Sequence, residues 1–239
     1  IWDPYIITVI LNTLIISILG LLGLPLAGMI AILLSEVRGK KFKKTVQTAI
    51  TIPNFISWII IYSIMFSLFS NDGLLTTLVR GLSGNRDSTV TLLTNPGTAK
   101  LFMVLTNIWK TVGYNSIIFF AAVTGIDSQL YDAAAVDGAG RWQKILHITI
   151  PGILPTFITL LIISVGAILN NGFEQYYVFV NPMIQKNIEV LDYYVYRIGM
   201  LNNDIPASTA VSMIKTFISV VLVFSVNKLS KKTLGQSIL

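Results

Sequence analysis

The chain has 239 residues, 54% of them hydrophobic and only 12% charged, with a net charge of +6, one histidine and no cysteine. Mean hydropathy is +0.74, and soluble domains carry about 25% charged residues, so the composition indicates a membrane protein of one domain, residues 1–239. The lack of cysteine excludes a disulfide framework, a thiol nucleophile and a cysteine metal site. The basic residues gather between apolar runs, which fits membrane orientation and not nucleic-acid binding.

Residues 5–35 are almost wholly apolar, interrupted by Gly20, Gly23, Pro25 and Gly28. The run exceeds the ~20 residues that cross a bilayer, so a tilt, a kink or a protruding end is expected. Next comes EVRGKKFKK, holding Arg38, Lys40, Lys41, Lys43 and Lys44, which reads as a solvated loop on the cytoplasmic side. A second span is expected over about 45–69, with Pro53 near its start. Residues 70–98 are polar with balanced charge (Asp72, Arg80, Arg86, Asp87) and are assigned to the outside. A third span covers about 100–123.

The stretch YDAAAVDGAGRWQKILHITIPGILP, residues 131–155, is polar yet patterned between two apolar runs. Asp127 or Ser128 is placed to cap a short helix whose body, 129–137, is rich in alanine. Gly138 follows as a helix-ending residue able to take positive φ. Trp142, Ile145, Leu146 and Thr149 recur at helical spacing and predict a second short amphipathic helix, which Pro151 and Pro155 should limit. The small residues Ala133, Ala134 and Ala139 let another protein's surface come close, so the segment reads as a docking element. Asp132 and Asp137 read as capping and partner-binding groups rather than an acid–base pair.

A fourth span is expected over about 153–169. Residues 170–206 return outside, carrying Glu174, Glu189, Asp192 and Asp204 against Lys186 and Arg197. The fifth span, about 207–226, is followed by a cytoplasmic tail with Lys228, Lys231 and Lys232.

Polar groups inside the spans are the other signal. Asn107, Trp109, Lys110, Tyr114 and Asn115 fall in the third span; Asn170, Asn171, Glu174, Gln175 and Tyr177 fall at the outer end of the fourth; Lys215 lies within the fifth. An intramembrane charge costs about 3 kcal/mol on insertion scales and normally faces a cavity or a partner. Aromatic faces beside amides suit sugars, the alternative being interhelical hydrogen bonding with interfacial anchoring. No G-x-x-x-x-G-K-[ST] run is present, so the chain has no phosphate-cradling loop with which to hydrolyse ATP alone. His147 lacks ligand-spaced partners and reads as an interface or solvated side chain.

The 131–155 stretch resembles the EAA loop of permease subunits in binding-protein-dependent ABC importers, E-A-A-x-x-D-G-A followed by I-x-L-P. Asp132, Ala133, Ala134, Asp137, Gly138, Ala139, Ile148 and Pro151 align with it, with Asp132 in place of the first glutamate and Ile150 in place of the leucine. From residue 5 onward the chain resembles the carbohydrate-uptake class, which includes the maltose permease, and most closely its polysaccharide and oligosaccharide branch. The segments IWKTVGYNSIIFFAAVTGID and LYDAAAVDGAGRWQKILHITIPGILP carry this likeness. Gly172 interrupts the N-N-F-like stretch of that class.

The resemblance implies an all-α polytopic fold, a type I ABC importer transmembrane domain with five visible transmembrane helices and a cytoplasmic coupling-helix loop at 127–151. It implies a bacterial cytoplasmic-membrane location with the C-terminus inside. Such permeases usually start in the cytoplasm with one more helix, so the native chain is expected to carry an additional N-terminal span. Expected partners are a second homologous permease, two ATPase subunits that bind ATP and Mg, an extracytoplasmic solute-binding protein, an oligosaccharide and the lipid bilayer. No cofactor or metal is assigned to this chain. ATPase coupling is expected at Asp132, Ala133, Ala134, Asp137, Gly138, Ala139 and Arg141. Substrate binding is expected at Asn107, Trp109, Lys110, Tyr114, Asn115, Asn171, Glu174 and Lys215. Lys110 and Lys215 find only Glu174 as an obvious counter-charge, which points to a uronic-acid cargo; snorkelling or pairing with the second permease is the alternative. A permease for amino acids or ions and a non-transporting membrane scaffold are the rival readings.

Overall fold

Helix α1 (Pro4–Gly20) and helix α2 (Gly23–Glu36) divide the first apolar run at Leu21 and Leu22, between the two glycines where a kink is expected. Pro25 lies in the first turn of α2, where a missing N–H leaves no helical bond unmade. The computed structural model describes residues 4–37, 39–83 and 92–234; the Arg86 and Asp87 of the expected outer segment lie outside the described residues.

From Lys40 onward the basic stretch is helix and not loop, and Arg38 lies outside the described residues. Lys40, Lys41, Lys43 and Lys44 belong to α3 (Lys40–Thr51). Lysine is a good helix former, and Phe42, Val46, Ala49 and Ile50 recur on one side of that helix. The expected span over 45–69 is likewise broken. A 3₁₀ turn (Ile52–Phe55) holds Pro53, and Ser57 caps α4 (Trp58–Phe69) by accepting the Ile60 N–H at 3.4 Å. Helix α5 (Leu74–Ser83) then lies within the segment read as polar and assigned to the outside.

Helix α6 (Ala99–Thr124) has 26 residues, about 39 Å at helical rise, long enough to span a bilayer. Helices α7 (Ser128–Val136) and α8 (Arg141–Lys144) follow. Pro151 and Pro155 do not stop the second of these. A π-helical turn (Ile145–Thr149) joins α8 to α9 (Ile150–Gly166), and the Ile150 N–H bonds the Ile145 carbonyl. The wider turn makes room for the Pro151 ring, which would otherwise press on the preceding turn. Short helices α10 (Glu174–Phe179), α11 (Gln185–Ile188) and α12 (Leu191–Tyr196) lead through a second π turn (Arg197–Leu201) to α13 (Ile205–Leu234). The lysines expected in a tail continue α13, because nothing in 227–234 breaks a helix.

Among the described residues all regular structure is helical. Four stretches of the described residues are long and apolar enough to cross a membrane: Pro4–Glu36, Trp58–Ser83, Arg141–Gly166 and Ile205–Lys228. Helix α6 has the length, but Asn107, Lys110 and Asn115 dilute its hydropathy, so five spans is an approximate count.

Two compact units are present. One comprises Ile1–Gly20, Ile56–Asn107 and Ala167–Val220. Its core is Val9, Leu169, Leu191, Tyr194 and Ile198. Burial of Glu189 there is offset by the Tyr5 hydroxyl, Gln185 Nε2 at 3.1 Å and Arg197 Nε at 2.7 Å. Asn12 donates to the carbonyls of Lys186 at 2.9 Å and Glu189 at 3.1 Å. The other unit comprises Leu21–Phe55, Ile108–Gly166 and Val221–Leu239. Its core is Ala27, Ala31, Phe119, Val123 and Ile153, where the two alanines allow close helix approach.

Candidate functional site

Both helix ends of the patterned loop are built as its residues predict. The Asp127 carboxylate accepts the Gln129 N–H at 2.9 Å and caps α7. At the other end Gly138 takes φ +78°, the left-handed conformation that glycine adopts without strain. The Gly138 N–H bonds Ala135 O at 3.2 Å and the Ala139 N–H bonds Ala134 O at 2.8 Å, the paired bonds of a Schellman ending. The chain turns and restarts at Gly140, whose N–H is accepted by Gln143 Oε1 at 2.7 Å.

One bond ties the two halves of the loop: Tyr131 Oη meets Thr149 Oγ1 at 2.9 Å, and Thr149 is buried. A cleft of about 310 Å³ opens between them, lined by Ala134, Asp137, Gly138, Ala139, Gln143, Lys144, His147 and Ile148. Leu130, Val136, Trp142 and Leu146 are exposed, Val136 to 89% and Trp142 to 75%. Asp132, Ala133, Asp137, Gly138 and Arg141 are exposed, and Ala134 and Ala139 half-buried. All seven residues assigned to coupling therefore sit in one short, accessible segment. His147 is exposed, its Nδ1 2.9 Å from Gln143 O.

The eight residues assigned to substrate are divided between the two units. In the first unit, Asn171 and Lys215 meet through a residue not assigned to the site. Asp192 accepts the backbone N–H groups of Asn171 at 2.9 Å and Gly172 at 3.1 Å and pairs with Lys215. Gly172, at φ +81°, supplies the left-handed turn that aims both N–H groups at it. Asn171 Nδ2 also donates to Ser17 Oγ at 2.9 Å. Asn107 donates to Gln175 Oε1 at 3.1 Å, and Gln175 Nε2 donates to Met103 O at 2.8 Å. Glu174 is exposed at the start of α10. Nearby, Phe173, Tyr177, Tyr193 and Tyr196 pack as an aromatic group, Phe173 and Tyr196 at 4.7 Å between ring centres.

In the second unit, Lys110 is buried and donates to the carbonyls of Pro53 at 3.1 Å and Asn54 at 2.9 Å. Trp109 and Tyr114 are exposed and Asn115 half-buried.

These contacts correct the charge argument. Lys215 has its carboxylate in Asp192, and Lys110 is held by backbone carbonyls at the end of the 3₁₀ turn, as suits a cation at a helix C-terminus. Neither lysine requires an anionic ligand. Asp192 was read as one charge among several in an outer segment. The signal that marks it is its place in LDYYVY, a carboxylate in an otherwise apolar and aromatic run. Asn12, a buried amide in the first span, carried the same signal.

A family model described as binding-protein-dependent transport system inner membrane component matches residues 23–234. The chain is 38% identical over 232 residues to the polygalacturonan/rhamnogalacturonan transport system permease protein YteP of Bacillus subtilis (strain 168), covering 96% of this chain and 71% of that one. It superposes with TM-score 0.91 and 33% identity on a crystal structure of a bacterial ABC transporter involved in the import of the acidic polysaccharide alginate, covering 97% of this chain and 80% of that one. It also superposes with TM-score 0.92 and 33% identity on a bacterial alginate ABC transporter in complex with alginate pentasaccharide-bound periplasmic protein, covering 99% and 82%.

Proposed function

Because the chain belongs to the family of binding-protein-dependent transport system inner membrane components, we propose that it is the membrane-spanning permease subunit of an ATP-driven oligosaccharide importer working by alternating access. The observation that carries the reading is the loop from Asp127 to Thr149. It is capped at both ends of α7, pinned by Tyr131 and Thr149, and presents unpartnered apolar side chains beside small ones. Burial of such side chains against another protein stabilises by about 1.5–3 kcal/mol each for a large residue. The occupant is an ATPase subunit, bound through Asp132, Ala133, Ala134, Asp137, Gly138, Ala139 and Arg141. ATP with Mg is held by that subunit. The loop and the C-terminus face the cytoplasm, and a second permease and a solute-binding protein complete the assembly.

The cargo is an acidic oligosaccharide. Support comes from the relatives named for polygalacturonan/rhamnogalacturonan and alginate and not from unmatched cations in this chain. We assign cargo contacts to Trp109, Tyr114, Asn115 and Asn107 on α6, to Asn171 before α10 and to Glu174 at its start. Lys215 acts through Asp192 to shape the Asn171–Gly172 turn, and Lys110 fixes the 3₁₀ turn. The test is ATPase activity and uptake by the copurified transporter with its binding protein, using length-matched neutral and uronate oligosaccharides. Stimulation by the uronate series supports the reading. Stimulation by amino acids or ions, or no substrate dependence, overturns it in favour of the other permease classes or a scaffold.

A further inference from the structure

The basic helix α3 is not used by the transport reading, and its placement gives it a partner. Lys43 Nζ lies 4.5 Å from the centre of the Phe120 ring. Seven residues further along α3, the Ile50 carbonyl occupies the place where a Cβ on Gly113 would fall. Gly113 is seven residues before Phe120, so α3 runs antiparallel to α6 at equal rise. Extending that register sets Lys40 level with the last turn of α6. A helix of 26 residues outruns the ~30 Å hydrocarbon layer, and on the proposed topology, with the loop after α6 in the cytoplasm, this turn comes at headgroup depth.

Lys40, Lys41 and Lys44 are exposed and fall within about 100° of the helix circumference. Helix α3 contains no acidic residue, and the ion pairs found among the described residues lie elsewhere. Glu36, at the end of α2, is the nearest carboxylate in sequence. Phe42, 65% exposed, lies on the side opposite Lys44 with Ala49. An exposed aromatic on one side and three ammonium groups on the other match acyl chains and phosphates of a bilayer surface.

We propose that Lys40, Lys41 and Lys44 form a binding site for the headgroups of anionic phospholipids. A protein partner with an acidic face would meet the lysines but leave Phe42 in lipid, so the bilayer accounts for both sides of the helix at once.

The experiment is native mass spectrometry of the purified, delipidated transporter titrated with phosphatidylglycerol or phosphatidylcholine. Wild type should prefer phosphatidylglycerol, with the preference falling as salt rises. Each lysine near an anionic surface contributes about fivefold. Changing all three to glutamine should therefore erase most of the preference; changing all three to arginine should keep it, and Lys186→Gln should leave it intact. The arginine variant also shows that any loss reflects charge and not misfolding. No preference in wild type, or equal preference in the glutamine variant, overturns the proposal. So does loss of ATPase copurification in the glutamine variant with lipid preference unchanged, which would make α3 a protein-docking helix.

Discussion

Substituting Gly138 by valine tests one backbone angle apart from packing within this chain. A Cβ there would meet nothing within 4 Å, while the φ of +78° is one that branched residues rarely adopt. The penalty is therefore conformational, about 1–2 kcal/mol for an L-residue in the left-handed region. Escaping it would break the two bonds from Gly138 and Ala139 to Ala135 and Ala134, each contributing about 0.5–1.5 kcal/mol. Either route leaves the loop about 1–3 kcal/mol less stable in its docking shape, a factor of roughly 5 to 150 in the equilibrium constant for that shape. A protein stable by about 5–15 kcal/mol survives this. Gly138→Val should reach the membrane normally but lose ATPase copurification and uptake by up to about that factor. Gly138→Asn, whose side chain tolerates positive φ, should retain most of both. Wild-type coupling in Gly138→Val would refute the docking role, and equal defects in the two variants would refute the argument from φ.

Asp192→Asn removes the carboxylate from Lys215, whose side chain is only 13% exposed. It should destabilise by about 3 kcal/mol, read as a lower melting temperature in detergent. Adding Lys215→Met should recover part of that loss, and a double variant no better than the single would refute the pairing. Gly113→Ala drives a methyl into the Ile50 carbonyl and should lower stability by about 1–3 kcal/mol, whereas Gly81→Ala, with open space around it, should change it little. Lys110→Met frees the carbonyls of Pro53 and Asn54 and should reduce uptake of neutral and uronate oligosaccharides alike. A loss confined to the uronate would restore Lys110 to direct recognition of cargo.

Local rules read the loop well because its structure is local. Asp127, Gly138 and the helical spacing from Trp142 to Thr149 act over a few residues, and all are visible as a string. The polar pairings were less legible because they join distant segments: Asp192 with Lys215, Lys110 with Pro53 and Asn54, Asn107 with Gln175. A count of charges along the chain cannot say which carboxylate reaches which ammonium. The basic run at Lys40–Lys44 misled for a third reason. Positive charge marks the side of a membrane without stating backbone conformation, and lysine serves a helix as readily as a loop.

The π turn at Ile145–Thr149 has a mechanical consequence. By joining α8 to α9 it makes Arg141–Gly166 one helical rod of 26 residues, about 39 Å long. Force applied near Arg141 then acts on a lever and is not absorbed by a flexible joint. Two glycines, Gly138 and Gly140, precede the rod, and Tyr131 ties α7 to it at Thr149. A displacement of a few ångströms at the loop therefore tilts the whole span, and softening the rod with glycine at Ile150 should dissipate the stroke while docking persists.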